Sequence, residues 1–397
     1  MRAFAFAWRS LARQPARTVL ALLGIAAVGA LLFDMLLLSR GLVVSFSELL
    51  EETGFDVRVT ATDSMPVTGP MILDAAAAAR ALEGLPEVEQ ASPLRVARAE
   101  ARVEGGEPIE LTLMGLGSNS RDLWTVVAGA PLPSETGWVV INDRLARELA
   151  VAPGDTLSLW DAGAPGSVAT PAIDLRVAGI AEFAFDTRLE RTAAVRLSDL
   201  SAVCALERAV AADVLLVASA AGSGPEQTVE AIRRLRPDLH AFSNVQLVNR
   251  FRAHDFSYFR QISVVLTTVT LSFAFLLITS LLTVSVNQRF AEVAALRAIG
   301  FSRARVVADL FCQSVLLVGG GGLVAIPLGA ALAVWLDGIL KSMAHIPVNL
   351  HFFVFQPRAL VLHVALLGLV GMLAALYPIY LAARLPIAAT LRNEVVS

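Results

Sequence analysis

The sequence predicts a membrane protein of four transmembrane α-helices with a large α+β extracytoplasmic domain inserted between helices 1 and 2. Three observations lead there. The 397 residues are 56% hydrophobic and only 17% charged, whereas a soluble globular chain carries about 25% charged residues. Three runs, 261–288, 310–336 and 359–383, contain no Asp, Glu, Lys or Arg, and a fourth, 18–39, is interrupted only by Asp34. At 1.5 Å per helical residue each run reaches across a hydrocarbon core of about 30 Å. The third observation is where the arginines lie. Arg2, Arg9, Arg13 and Arg17 precede the first run; Arg289, Arg297, Arg303 and Arg305 sit between the second and third; Arg384 and Arg392 follow the fourth. A four-helix topology puts all three clusters on one side, and the positive-inside rule makes that side the cytoplasm. Residues 41–258, on the other side, hold 18 Arg against 30 Asp and Glu.

The chain then divides as follows: a cytoplasmic amphipathic N-terminal helix at 1–17, spans at 18–39, 259–286, 306–336 and 358–383, and the extracytoplasmic domain with stalk-like ends at 40–258. A cytoplasmic loop occupies 287–305, an outer loop 337–357 and a cytoplasmic tail 384–397. Phe4, Trp8 and Leu11 recur at helical spacing before Pro15, as in an interfacial helix. A charged start followed by an apolar run also fits a signal peptide, but this run is long for one and no small-residue cleavage site follows it. Asp34 falls near the outer end of the first span, where a solvated position is expected.

Leu42, Val43, Phe46, Leu49 and Leu50 continue the helical period beyond the first span. Val248, Phe251, Phe259 and Ile262 repeat it into the second. Two such helices can pair as a stalk or lie separately on the base of the domain. Between them the pattern alternates. Strands are expected at 56–62, 94–103, 109–114, 138–141, 156–160, 173–183 and 214–218, with helices at 72–85, 143–150 and 227–235. Glu104-Gly105-Gly106 reads as a hairpin turn, Asn142 as an N-cap, and Pro153-Gly154-Asp155 as a type II turn. The domain has the composition for two lobes, with no visible break between them.

Within the spans, Thr268, Ser272, Thr279 and Thr283 share one helical face, and Gly321, Ala325, Gly329 and Ala333 form a small-xxx-small row. Both stripes suit helix–helix packing better than a substrate pore. Pro327 lies in the third span, where packed bundles tolerate it.

Catalytic chemistry is hard to find. Lys341 is the only lysine, and it has no glycine run before it, so no P-loop binds nucleotide here. The five histidines, His240, His254, His345, His351 and His363, are scattered; His345 and His351 share an outer loop without an acidic partner. No metal spacing or G-x-S-x-G elbow occurs. Cys204 and Cys312 fall on different sides of the predicted topology and cannot pair within one chain. No catalytic residue, no metal site and no nucleic-acid contact is therefore expected.

The most informative stretch is 287–305. Phe290, Val293, Ala294 and Arg297 share one face, Gly300 can end the helix and Ser302 can cap the next. A short helix with an apolar face toward the cytoplasm is shaped to enter a groove on another protein. The run Arg289, Glu292, Leu296, Arg297, Ala298, Gly300, Ser302 and Arg303 resembles the coupling-helix signature of MacB/FtsX-type ABC transporter permeases, and the chain is also similar to lipoprotein-release permeases. Trp8 to Leu11 with Arg17-Thr18 resembles that family's first span. Asn142, Leu145, Ala146, Pro153-Gly154-Asp155 and Val177-Ala178-Gly179-Ile180 resemble its MacB-like periplasmic core domain. Tyr377-Pro378 with Arg392 and Glu394 resembles its C-terminal signature, except that Leu385-Pro386 stands where the family has Asp-Pro.

The resemblance implies a non-enzymatic permease subunit in a bacterial inner membrane, with both termini cytoplasmic. It implies a dimer of this chain with a copy or paralogue, and a separate ABC ATP-binding subunit that holds ATP and Mg while this chain binds no cofactor. Membrane lipid and a periplasmic adaptor protein complete the implied partners. Phe290, Val293 and Leu296 would make the hydrophobic contact to the ATPase, Glu292 and Arg297 the polar one, and Gly300 the turn. The implied function is ATP-driven movement of the extracytoplasmic domain, exporting or extruding a lipid, lipoprotein, peptide or drug-like substrate. The alternative is an FtsX-like mechanotransmission subunit that regulates an extracytoplasmic hydrolase without transport.

Overall fold

The computed structural model describes residues 7–383 apart from 10, 14, 64–68, 119, 164–170, 205–210, 254–256, 288–301, 344–346 and 348. The chain forms two compact units: 1–42, 256–339 and 351–397 make the first, and 43–255 with 340–350 the second.

The first unit is helical. Among the described residues, four helices are long and apolar enough to cross a membrane: α1 (Pro15–Glu52), α7 (Ser257–Asn287), α8 (Arg303–Lys341) and α9 (Pro357–Ala383). Each is apolar over most of its circumference, as expected of helices surrounded by hydrocarbon. Their shared core joins Ile25, Leu32 and Phe33 of α1 to Ala274, Ile278 and Leu282 of α7, Leu317 and Ala333 of α8, and Leu367, Ala374 and Ala375 of α9. Pro327 lies inside an unbroken α8. Asp34 departs from its expected solvated position: it is 1% exposed, and neither carboxylate oxygen has a hydrogen-bond partner among the described residues. The helical period turns its side chain inward, which distance along the axis could not reveal. His351 also differs from expectation, because its Nδ1 lies 3.2 Å from Oδ2 of Asp337 at the end of α8. The other oxygen of Asp337 accepts from the Phe352 N–H.

Among the described residues, the second unit carries the remaining elements: α2 (Ala75–Glu83), α3 (Asp143–Leu149), α4 (Leu197–Val203), α5 (Pro225–Leu235), α6 (Asn244–Ala253) and ten strands. The strands are β1 (Val57–Thr60), β2 (Val88–Arg102), β3 (Ile109–Leu116), β4 (Trp124–Gly129), β5 (Trp138–Asn142), β6 (Thr156–Asp161), β7 (Ile173–Phe183), β8 (Thr192–Arg196), β9 (Val214–Ser219) and β10 (His240–Ser243). They form one sheet in the order β10-β1-β9-β2-β3-β8-β5-β7-β4, and β6 pairs both β2 and β7. The path β2-β3-β8-β5-β7-β6 therefore closes on itself into a six-stranded barrel. β3 and β8 run parallel, as do β5 and β7; the other pairings are antiparallel.

Alternation decides what goes where. Odd-numbered residues of β2, β3, β5, β6, β7 and β8 fill the barrel: Ala99, Leu111, Leu113, Val139, Ile141, Leu157, Leu175 and Val195, plugged by Leu145 of α3 and Leu200 of α4. The open end of the sheet, β10-β1-β9 with the start of β2, packs Val57, Val59, Leu215 and Val217 against Ala78 and Leu82 of α2 and Val229 and Ile232 of α5. These are the two lobes, and the 15-residue β2 belongs to both.

Local chemistry sets the connections. Asn142 caps α3, its Oδ1 accepting from the Leu145 N–H at 2.9 Å. Pro153-Gly154 turns with Gly154 at φ +103°, and the Asp155 N–H bonds back to the Ala152 carbonyl. Four elements have no counterpart in the sequence expectation: β4, β8, α4 and β10.

Candidate functional site

The expected ATPase-coupling segment is bracketed by structure. Arg289, Phe290, Glu292, Val293, Leu296, Arg297 and Gly300 lie outside the described residues. Ser302 immediately precedes α8, which opens at Arg303, and its carbonyl accepts from the Arg305 and Val306 N–H groups. Val286 at the end of α7 packs with Val306 and Leu310 at the start of α8, and with Ile379 near the end of α9. The two ends of the loop are thus clamped together by aliphatic contact, and the loop joins neighbouring helix ends.

The two intramembrane stripes have different surroundings. Gly321, Ala325, Gly329 and Ala333 are all buried and lie along α1. A Cβ on Gly321 would stand 2.6 Å from Ile25, and one on Gly329 would stand 3.0 Å from both the Ala30 carbonyl and Phe33. The reciprocal approach is at Gly29, where a Cβ would stand 2.8 Å from that of Ala325. Small side chains on both helices let the backbones approach closely enough for dispersion contact along the row. On α7 the row buried within the chain is Ala274, Ile278, Leu282 and Val286. Thr268 and Ser272 are exposed, while Thr279 and Thr283 are partly buried. The hydroxyls of Thr268, Ser272 and Thr283 bond back to carbonyls of their own helix four residues earlier. Those bonds satisfy the hydroxyls without a neighbouring helix.

The second unit contains a cavity of about 370 Å³, and its construction follows from the strand alternation. While odd residues of the sheet fill the two lobes, even residues of five neighbouring strands line the cavity: Arg58 of β1, Val214 and Leu216 of β9, Leu94 and Val96 of β2, Thr112 and Met114 of β3, and Thr192 of β8. The opposite wall is Phe46 and Leu50 of α1 with Leu247 and Phe251 of α6. These two helix segments pack on one another through Leu50, Leu247 and Val248, and the Phe46 and Phe251 rings meet edge to face at 4.8 Å. The 43–52 part of α1 therefore pairs with α6, while Phe259 and Ile262 of the expected second continuation fall in α7, and between the pair and the sheet a space is left.

Charge is distributed unevenly around that space. Arg58 is 6% exposed. Its Nη1 donates to Oδ1 of Asn244 and its Nη2 to the Thr53 hydroxyl at 3.4 Å, so its described hydrogen-bond partners are a neutral amide and a neutral hydroxyl. Burial pulls its pKa down to about 10, opposed by the nearby charge of Asp56; at neutral pH it remains a cation. Asp56 itself accepts from the Ser219 N–H at 2.9 Å. At the β8 side stands Asp186, whose two oxygens accept from Nδ2 of Asn142 at 2.7 Å and from the Thr192 hydroxyl at 2.6 Å. Burial lifts its pKa to about 6, against the two hydrogen bonds and reinforced by Glu190. Sequence reading missed Arg58 and Asp186. Arg58 sits where alternation predicts a solvent-facing residue, and Asp186 lies in a loop with no motif; only the pairing of Asn142 with a distant carboxylate marks the place.

Fold and site together define a multi-span membrane protein with a barrel-containing domain inserted after its first span. The MacB-like periplasmic core domain model matches residues 18–235 and the FtsX-like permease C-terminal model matches 264–387. The chain belongs to the MacB/FtsX-like permease family, the permease component of ABC transporters. A search of characterised protein sequences gives no match. Among solved structures, the periplasmic region of MacB from Actinobacillus actinomycetemcomitans aligns at 12% identity and a TM-score of 0.38, over 52% of this chain and 98% of that one. The extracellular domain of the noncanonic ABC-type transporter YknZ from Gram-positive bacteria aligns at 14% identity and a TM-score of 0.34, over 48% and 99%.

Proposed function

We propose that this chain is the membrane subunit of an ABC exporter or extrusion machine in a bacterial inner membrane, with both termini and the 287–305 loop cytoplasmic. Two copies, or this chain and a paralogue, would bind a pair of separate ATP-binding subunits, which hold ATP and Mg. The observation that carries the reading is the succession of the two permease family models along 18–387. The aliphatic clamp between Val286, Val306, Leu310 and Ile379 supports it, because a loop that transmits force needs ends fixed to the spans. Phe290, Val293 and Leu296 would fill a groove on the ATPase, with Glu292 and Arg297 pairing at its rim. Closure of the ATPase dimer would then shift α7 and α8 together and move the extracytoplasmic domain against a lipid, lipoprotein, peptide or drug-like substrate.

Co-expression with candidate ATP-binding subunits, purification in nanodiscs and measurement of ATP turnover test this. The expected result is a co-purifying ATPase whose turnover depends on the permease and is lost or uncoupled in the Glu292→Ala/Arg297→Ala double variant. Failure of every candidate to bind would overturn the reading. Dependence of turnover on cargo would separate transport from regulation of an outside hydrolase.

A further inference from the structure

We propose that the cavity between the α1–α6 helix pair and the even-numbered face of the sheet binds a single-chain amphiphile with an anionic head, the head held by Arg58 and the chain lying along Leu94, Met114 and Leu216. The inference rests on the domain alone and does not require ATPase coupling.

Three features of the cavity converge. Its volume of about 370 Å³ falls in the range of small-molecule sites, which are apolar spaces with a few placed polar groups. Its walls are aliphatic and aromatic over most of their area, and Met114 supplies an adaptable thioether. A buried charge is costly unless paired, yet no carboxylate forms an ion pair with Arg58 among the described residues. The hydrogen bonds it donates to Asn244 and Thr53 end on neutral acceptors, and Asp56 acts on its charge from a distance, without an ion pair. A carboxylate or phosphate entering the cavity would supply an anion in direct contact, and a guanidinium is suited to hold either one bidentately.

The carboxylates fix the direction. Asp186 and Glu190 also line the cavity, and both already accept hydrogen bonds: Asp186 from Asn142 and Thr192, Glu190 from the Thr187 N–H. They repel a second anion and offer it no donor. Arg58 on β1 and Thr192 on β8 are four strand spacings apart, about 19 Å along the sheet. An anionic head is therefore driven to the β1 side, and its chain runs over β9, β2 and β3. A free inorganic anion would leave that apolar stretch uncovered, and a neutral chain would leave Arg58 unpaired.

The test uses the full chain in nanodiscs of neutral phosphatidylcholine. Trp124 packs on Phe183, with ring centroids 5.1 Å apart, and Phe183 lines the cavity. A bromine-tipped undecanoate bound there quenches the Trp124 fluorescence, and a Trp124→Phe variant with empty nanodiscs supplies the background. Saturable quenching is expected, displaced by undecanoate and by undecyl phosphate, and displaced at least tenfold less well by undecanol or inorganic phosphate. Arg58→Gln, which keeps donors without charge, should weaken the brominated probe at least tenfold, and Arg58→Lys should recover much of the loss. Met114→Trp, which fills the cavity, should abolish saturable binding. Equal displacement by undecanol would show an apolar crevice only, and displacement by inorganic phosphate as effective as by undecanoate would show an anion site only; either overturns the proposal. So would unchanged affinity in Arg58→Gln, or no saturable quenching in the unaltered chain. Thermal melting of each variant identifies any that fails to fold, and Arg58→Lys then carries the charge comparison. Because no ATPase is present, a negative result here leaves the permease reading standing, and loss of ATPase coupling leaves this one standing.

Discussion

Asn142 performs two tasks from one side chain. Its Oδ1 caps α3, while its Nδ2 donates to Asp186 and to the Glu190 carbonyl. Asn142→Ala removes the cap and one donor from a buried carboxylate, so a loss of about 2 kcal/mol in unfolding free energy is expected by denaturant titration. Asn142→Asp keeps the cap but sets two carboxylates against each other; its deficit should shrink as the pH is lowered. Asp186 gives a second pH prediction. Its folded pKa of about 6 lies above the ordinary aspartate value of 3.8, so the folded state binds more protons than the unfolded one between those values. The stabilisation present below pH 4 is lost as the pH rises through 6. Compared with Asp186→Asn, the unaltered chain should lose on the order of 2–3 kcal/mol over that interval. Parallel slopes for the two proteins would refute the assignment. In the helical unit, Gly321→Leu places side-chain atoms where a bare Cβ already meets Ile25 at 2.6 Å. The α1–α8 contact must then open, and a fall in melting temperature larger than that of Gly368→Leu is expected, since nothing lies within 4 Å of a Cβ on Gly368.

At the scale of elements, the pairing of α6 with the 43–52 part of α1 depends on a small cluster: Leu50, Leu247 and Val248, with Phe46 and Phe251 against it. Phe251→Ala removes the edge-to-face ring contact and one wall of the cavity. A loss of about 3 kcal/mol is expected, with faster proteolysis of the α6 segment as the readout. How far these elements were legible follows from their patterns. The four apolar runs, the Gly105 hairpin, the Asn142 cap and the Pro153-Gly154 turn all rest on local chemistry, and the sequence displays it. β8 and β10 are short strands with every residue, or all but one, buried, so they show no alternation to read. β4 is mostly exposed and carries a register shift opposite β7. Arg58 is brought to the cavity by the pairing of β1 with the distant β9 and Asp186 by its bond to Asn142, 44 residues away, and no local pattern encodes either. Asp34 was visible as an anomaly, but its burial depends on which face of α1 the other helices cover.

At the scale of the molecule, a four-helix membrane unit and a mixed-sheet domain come from one chain whose composition changes abruptly at their boundaries. The acidic 41–258 segment and the arginine-rich remainder give the two parts opposite charge, which matches a domain outside and anchors inside. Cysteine modification tests the proposed topology in intact spheroplasts. After Cys204 and Cys312 are replaced, a cysteine at the exposed Glu104 should react with an impermeant maleimide, and one at Ser302 should react only after the membrane is opened. The reverse pattern would invert the orientation.

The strand β2 has one further consequence. It forms part of the barrel wall and also of the open sheet covered by α2 and α5, so neither lobe can lose its hydrogen bonds without exposing an edge of the other. Amide exchange should therefore protect Leu94 and the Ala99–Ala101 stretch, where β2 has a strand on both sides, as strongly as any backbone in the domain, and the two lobes should open with a single free energy. A mechanical pull applied at either end of the domain would be borne by this one strand, and the barrel and the open sheet would respond to it as a single body.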